Sequence, residues 1–169
     1  KSVGADGQPE LPETALEGSW EKALPEDFFP LLQSLFPMDR FIAEDLGILN
    51  GEVCAYRDKY GLPGMIVLQF CFEESVPRVR DFPPERFIYT GTHDNPTIRE
   101  WFDSLPGDSP SRANLFQFIS ENASLFAGLG LENDSDIEAS IHKIACLIAE
   151  FSSCANVIIP VQDILGLDS

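Results

Sequence analysis

From Arg40 onward, short and nearly unbroken apolar runs alternate with stretches whose apolar positions recur at helical spacing. Phe41-Ile42-Ala43 is the first run, and it gives way to the polar Glu44-Asp45-Leu46-Gly47 as a buried strand gives way to a loop. Over 51–60 the residues Val53, Tyr56 and Tyr60 share one helical face, and Asn50 stands where a cap belongs. Gly61-Leu62-Pro63-Gly64 ends that helix, and Met65 to Phe70 forms the next strand. A turn-rich loop of mixed charge follows, with Glu73, Glu74, Arg78, Arg80 and Asp81. Arg86-Phe87-Ile88-Tyr89-Thr90 is the third strand, running into Gly91-Thr92-His93-Asp94-Asn95. A helix starts at Pro96 or Thr97 and reaches Phe102, two longer helices cover about 110–126 and 134–152, and Asn156 to Val161 is the fourth strand. Upstream, Pro25-Glu26-Asp27 opens a helix through Leu35, and residues 1–25, rich in Gly, Pro and Glu, form a loop.

Apolar strands alternating with helices predict an α/β fold with a parallel sheet covered by helices. In such folds functional residues gather where strands end, so the loops after the first and third strands are the places to look. At 169 residues the chain can bury one good core, yet it is short for a complete eight-stranded α/β barrel of about 250 residues.

A formal net charge of −17, with only 11 Lys and Arg, argues against nucleic-acid binding and against docking on anionic membranes. A neutral partner such as a sugar is indifferent to that field. Cys54, Cys71, Cys146 and Cys154 form no C-x-x-C pair, so neither a zinc site nor a disulfide framework is expected. Reduced thiols and an N-terminus unlike a signal peptide fit a cytosolic or plastid-like compartment. The apolar stretch from Ile144 to Pro160 contains Glu150, Ser152, Ser153 and Asn156 and reads as a helix followed by a strand, not a membrane span.

Three polar groups stand at strand ends: Glu44-Asp45, His93-Asp94-Asn95 and Gln162-Asp163. A carboxylate set beside apolar side chains favours its protonated form, which suits a general acid. A second carboxylate beside a histidine can hold sugar hydroxyls and stabilise positive charge on a reacting carbon. Each of these residues serves equally well as a helix cap or loop hydrogen-bonder. His142, within a helix, is read as structural.

The segments Ile42-Ala43-Glu44-Asp45-Leu46-Gly47, Gly61-Leu62-Pro63-Gly64-Met65 with Val67-Leu68-Gln69-Phe70, and Tyr89-Thr90-Gly91-Thr92-His93-Asp94-Asn95 resemble amylomaltases. These 4-α-glucanotransferases, also called disproportionating enzymes, are a branch of the α-amylase-like clan. Ile159-Pro160-Val161-Gln162-Asp163-Ile164-Leu165-Gly166 resembles the family's last barrel strand, and Glu13 to Trp20 its loop after the nucleophile-bearing strand. The resemblance implies the C-terminal half of a (β/α)₈ barrel over 26–169, preceded by that loop over 1–25. It implies Glu44 as general acid/base, Asp94 as the carboxylate gripping the 2- and 3-hydroxyls of the reacting glucose, and His93 as a donor to the same sugar. Phe70 becomes an aromatic wall of the acceptor site or plain core. Asn95 stands beside the sugar, or with Asp45 and Asp163 as supporting residues.

The implied reaction moves a 1,4-α-D-glucan segment to the 4-position of an acceptor glucan or glucose by retaining double displacement. It needs neither metal nor organic cofactor. No Arg-x-Asp-His-like nucleophile motif occurs in the sequence, so the remainder of the barrel is required and the chain alone is expected to be inactive. The loop from Phe72 to Phe87 lacks the Asn-Pro and Pro-His-Asn elements of the family, and Pro96 replaces a common acidic residue. Two alternatives remain open at this level: a glucan hydrolase or branching enzyme of the same clan, and a non-catalytic glucan-binding module.

Overall fold

The computed structural model describes residues 27–47, 49 and 51–168. The expected loop over 1–25, its motif from Glu13 to Trp20 and the Asn50 cap lie outside the described residues. The chain divides into two compact units, Lys1–Phe36 and Pro37–Ser169.

In the first unit the described residues form helix α1, Phe28–Leu35. Pro30 falls in its first turn, where a missing N–H costs nothing. Phe36, extended at φ −141° and ψ 145°, precedes Pro37 and ends the helix.

The second unit carries a parallel sheet of three short strands, β1 (Met65–Val67), β2 (Phe87–Tyr89) and β3 (Asn156–Ile158), in the order β1-β2-β3. Ile66 pairs with Ile88 and Ile88 with Val157 at the centre of the register. These three residues turn to the helical side, where they join one core with α3 (Ile98–Ser104), α4 (Pro110–Glu121) and α6 (Ile141–Phe151). Along α6, Ile141, Ile144, Ala145, Ile148 and Ala149 are all buried, an i, i+3, i+4, i+7, i+8 stripe. Fully burying each of the isoleucine side chains contributes roughly 1.5–3 kcal/mol. Helix α2 is Gly51–Lys59, α5 is Asp134–Ala139 and α7 is Val161–Leu165. Tyr56 of α2 and Tyr60 just beyond its end meet with ring centroids 5.1 Å apart and planes tilted by 49°, as their shared face requires.

Five expected elements differ from the sequence reading. The run from Phe41 to Ala43 is extended but forms no ladder: Ala43 N–H bonds to Pro63 O at 2.7 Å. The next rung of a parallel ladder needs Met65 N–H, and the Asp45 carboxylate accepts that donor at 2.7 Å instead. The expected strand from Met65 to Phe70 stops at Val67, because Leu68–Phe72 turns as a 3₁₀ helix that buries Leu68, Gln69 and Phe72. The fourth strand stops at Ile158. Pro160 cannot donate to a ladder, and its carbonyl accepts from Asp163 and Ile164 to start α7. The helix expected over 134–152 is two helices, α5 and α6, broken at Ser140, and that expected over 110–126 ends at Glu121 and continues as a 3₁₀ helix.

Candidate functional site

The sheet's alternation separates two faces. Ile66, Ile88 and Val157 point into the helical core, whereas Met65, Tyr89 and Ile158 line a cavity of about 1000 Å³ on the other side. Ile42, Leu46 and Pro160 complete its apolar wall, and Glu44, His93, Asp94, Asn95, Gln162 and Asp168 supply polar groups. Residues from three separate segments thus meet: the extended run before α2, the loop after β2, and the start of α7. Burial pushes the phenol of Tyr89 up from its ordinary value, so it stays a neutral donor at the cavity wall.

Glu44 owes its place to its neighbour. The Asp45 side chain is 4% exposed, ion-paired with Arg57 and Arg86 (2.8 Å to the latter), and accepts Met65 N–H. These partners come from α2, from the residue before β2 and from β1, so the carboxylate ties the run carrying Glu44 to the sheet. Gly64 is required beneath it, since a Cβ there would stand 2.3 Å from Asp45 Oδ2. With Asp45 turned inward, the next residue back, Glu44, is exposed towards the cavity.

His93 and Asp94 sit at the two corners of a β-turn closed by Asn95 N–H to Thr92 O at 3.2 Å. Asn95 Oδ1 accepts from Thr92 N–H (3.1 Å) and Thr92 Oγ1 (2.7 Å), which binds the turn across its base. The corner side chains are 84% and 73% exposed, with His93 Nε2 3.4 Å from Asp94 Oδ2. Such an exposed pair is held weakly, leaving both groups available to a ligand.

Beneath the turn, Asp163 is 2% exposed and accepts from Thr90 Oγ1 and, at 2.8 Å, from Ile98 N–H. Gln69, 1% exposed, donates Nε2–H to Pro96 O at 2.8 Å. Asp163 was approachable from sequence only as a supporting polar residue at a strand end, and Gln69 only as one position of the run from Met65 to Phe70.

Of the expected site residues, Glu44, His93, Asp94 and Asn95 line one cavity, and Phe70 does not. Phe70 is 44% exposed on the 3₁₀ turn after β1, which also corrects its alternative assignment to the core. Tyr89 and Asp168 were missed as lining residues. The period-2 pattern of the third strand carried the signal for Tyr89, since Ile88 buried inward sends its neighbours to the opposite face. Among the described residues, no group of three or more His, Cys, Asp or Glu is arranged to hold a metal ion. No helix among them is long and apolar enough to cross a membrane.

A family model described as 4-alpha-glucanotransferase matches residues 8–169. The chain is similar to the 4-alpha-glucanotransferase of Aquifex aeolicus, 35% identical over 92% of this chain and 29% of that protein. It is 32% identical to that of Thermus thermophilus over 92% of this chain and 30% of the relative. It is 33% identical to the chloroplastic/amyloplastic 4-alpha-glucanotransferase of Arabidopsis thaliana, over 95% of this chain and 26% of the relative. The chain therefore spans under a third of the length of these relatives. Among solved structures, an amylomaltase from Streptococcus agalactiae in complex with acarbose shares the fold, with a TM-score of 0.73 and 23% identity over 98% of this chain and 30% of that one.

Proposed function

The chain belongs to the 4-alpha-glucanotransferase family, and on that premise we propose that it supplies the later half of a (β/α)₈ catalytic barrel. The barrel domain runs over 26–169 and the preceding residues form a loop after the nucleophile-bearing strand. The parallel sheet with helices on one face and an open cavity on the other supports this reading, since barrel strands present one face to helices and the other inward.

The observation that carries the functional assignment is the convergence of Glu44, His93 and Asp94, from two different segments, on one cavity with an apolar wall. Glucose offers apolar ring faces and a rim of hydroxyls, and such a wall with carboxylates at its edge complements both. In the proposed reaction an aspartate from outside this sequence attacks the anomeric carbon of a bound 1,4-α-glucan. Glu44 gives its proton to the departing glycosidic oxygen, leaving a covalent glucosyl ester. The ionised Glu44 then removes the proton from an incoming sugar 4-hydroxyl, which attacks the ester, restores the α-linkage and frees the aspartate. Asp94 holds the 2- and 3-hydroxyls of the reacting glucose and favours its distorted ring, while His93 donates to the same sugar. Asn95 keeps the turn closed beside the sugar. Phe70 reaches an acceptor glucose only at the periphery, through its exposed face. The partners are α-1,4-glucans, maltooligosaccharides and glucose, handled by carboxylates without a cofactor, in the cytoplasm or a plastid.

The experiment is incubation with maltotriose. The complete protein should yield both glucose and longer maltodextrins, and this chain alone should yield neither. Glucose and maltose without longer products would instead indicate a hydrolase, and products from the isolated chain would overturn the need for an external nucleophile.

A further inference from the structure

The His93-Asp94 turn carries its side chains almost fully exposed, yet its backbone is fastened at both ends by groups that never reach the surface. Thr90 precedes the turn and Ile98 follows it, and the two oxygens of Asp163 accept one hydrogen bond from each. Thr90 is 0% exposed and Asp163 2%, so this bridge lies in dry protein, where exchanging it for water is not an option. From the other side, Gln69 reaches the carbonyl of Pro96. Gly91 makes the arrangement compact: a Cβ there would stand 2.9 Å from Gln69 Nε2 and 3.8 Å from Asp163 Oδ2.

We propose that Asp163 and Gln69 are positioning residues that clamp the 92–95 turn and so fix where His93 and Asp94 meet the sugar. The physical need is plain. A carboxylate that must grip a distorted ring works only if its backbone is already set, because ordering a loop during the reaction subtracts from the stabilisation it provides. Neither Asp163 nor Gln69 touches the sugar in this scheme. Asp163 sits on α7, so the seat of that helix is transmitted directly to the turn.

The role for catalysis rests on the function proposed above, whereas the clamp itself does not, and the test separates them. In the complete protein, Asp163→Asn and Gln69→Leu are compared with wild type by amide hydrogen exchange and by kinetics on maltotriose. Exchange at Thr92 to Ile98 should rise about tenfold while amides of α6 stay protected, and kcat should fall roughly 10–100-fold with a smaller change in KM. Should Asp163→Asn fail to fold, Thr90→Val removes one arm of the bridge, and Thr90→Ser, which keeps the hydroxyl, should restore both readouts. A uniform rise in exchange, or a local rise with kcat unchanged, overturns the positioning role. If wild type forms no longer maltodextrins, the glucanotransferase reading falls, and exchange alone decides the clamp: a local rise upholds it and none removes it.

Discussion

Glu44 and Asp45 are adjacent carboxylates placed in opposite surroundings, and each predicts a different failure when changed. Glu44 is exposed and lines the cavity, so Glu44→Gln should leave stability intact while lowering transfer from maltotriose. General acid–base catalysis supplies typically 10²–10⁴-fold, and a loss of about that size is expected in glucose release by the complete protein. Asp45 is enclosed by Arg57, Arg86 and the amide of Met65. Asp45→Ala would take the shared carboxylate from two partly buried guanidinium groups, leaving Arg57 with Asp58 and Arg86 with the Met65 carbonyl, and would leave the Met65 N–H without this acceptor, at a cost of about 1–3 kcal/mol, measurable as a lowered urea midpoint. Sequence inspection could pick out both carboxylates at a strand end. What it could not tell was which of the pair turned inward, because that depends on arginines 12 and 41 positions away. Asp163 was likewise legible as a supporting residue, but not as one bonded to Thr90 and Ile98, 73 and 65 positions distant.

At the scale of elements, the contact between α6 and α7 makes two predictions. Gly166 closes α7 in the left-handed region at φ +66°, and a Cβ there would stand 2.9 Å from the imidazole of His142. Gly166→Ala therefore meets both backbone strain and a ring, and should lower stability by about 1–3 kcal/mol, read as a fall in Tm. His142 itself has a buried Nδ1 with no hydrogen-bond partner among the described residues. Desolvation first, and then the charges of Arg99 and Lys143, hold its pKa below the ordinary 6.5. The folded state thus resists a proton that the unfolded chain accepts. Stability is level above pH 6.5 and declines as pH falls below it, until the folded histidine also protonates. Urea titrations between pH 7.5 and 5.5 should show this decline, and His142→Gln should flatten it. The helices and the parallel sheet were legible because apolar spacing in α6 and the β2 run is unambiguous. The strand ends were not. An apolar run such as Met65 to Phe72 reads alike for a strand and for a tight turn, and only the burial of Leu68, Gln69 and Phe72 distinguishes them.

At the scale of the whole molecule, the second unit buries one face of its sheet well and leaves its margins open. Among the described residues β3 pairs only with β2, so its outer edge has no strand partner among them. Beside it Ile158 is 37% exposed, Val161 61%, Ile164 56% and Leu165 61%, a continuous apolar margin where β3 passes into α7. In a complete barrel of the proposed kind, that edge pairs with the first strand of the same chain, and the margin is covered. The charge of −17 opposes association of separate copies, but it acts over only about 8 Å at physiological ionic strength. Apolar contact and edge pairing act at shorter range and are not screened. The isolated chain is therefore expected to associate as concentration or salt is raised, whereas the complete protein is not. Sedimentation velocity at low and high salt measures this directly. Ile164→Lys, which places a charge in the apolar margin without touching the cavity residues, should shift the isolated chain back towards monomer. A chain that remains monomeric at high salt and high concentration would show that this margin is already covered, and would remove the strongest physical reason for expecting a missing strand beside β3.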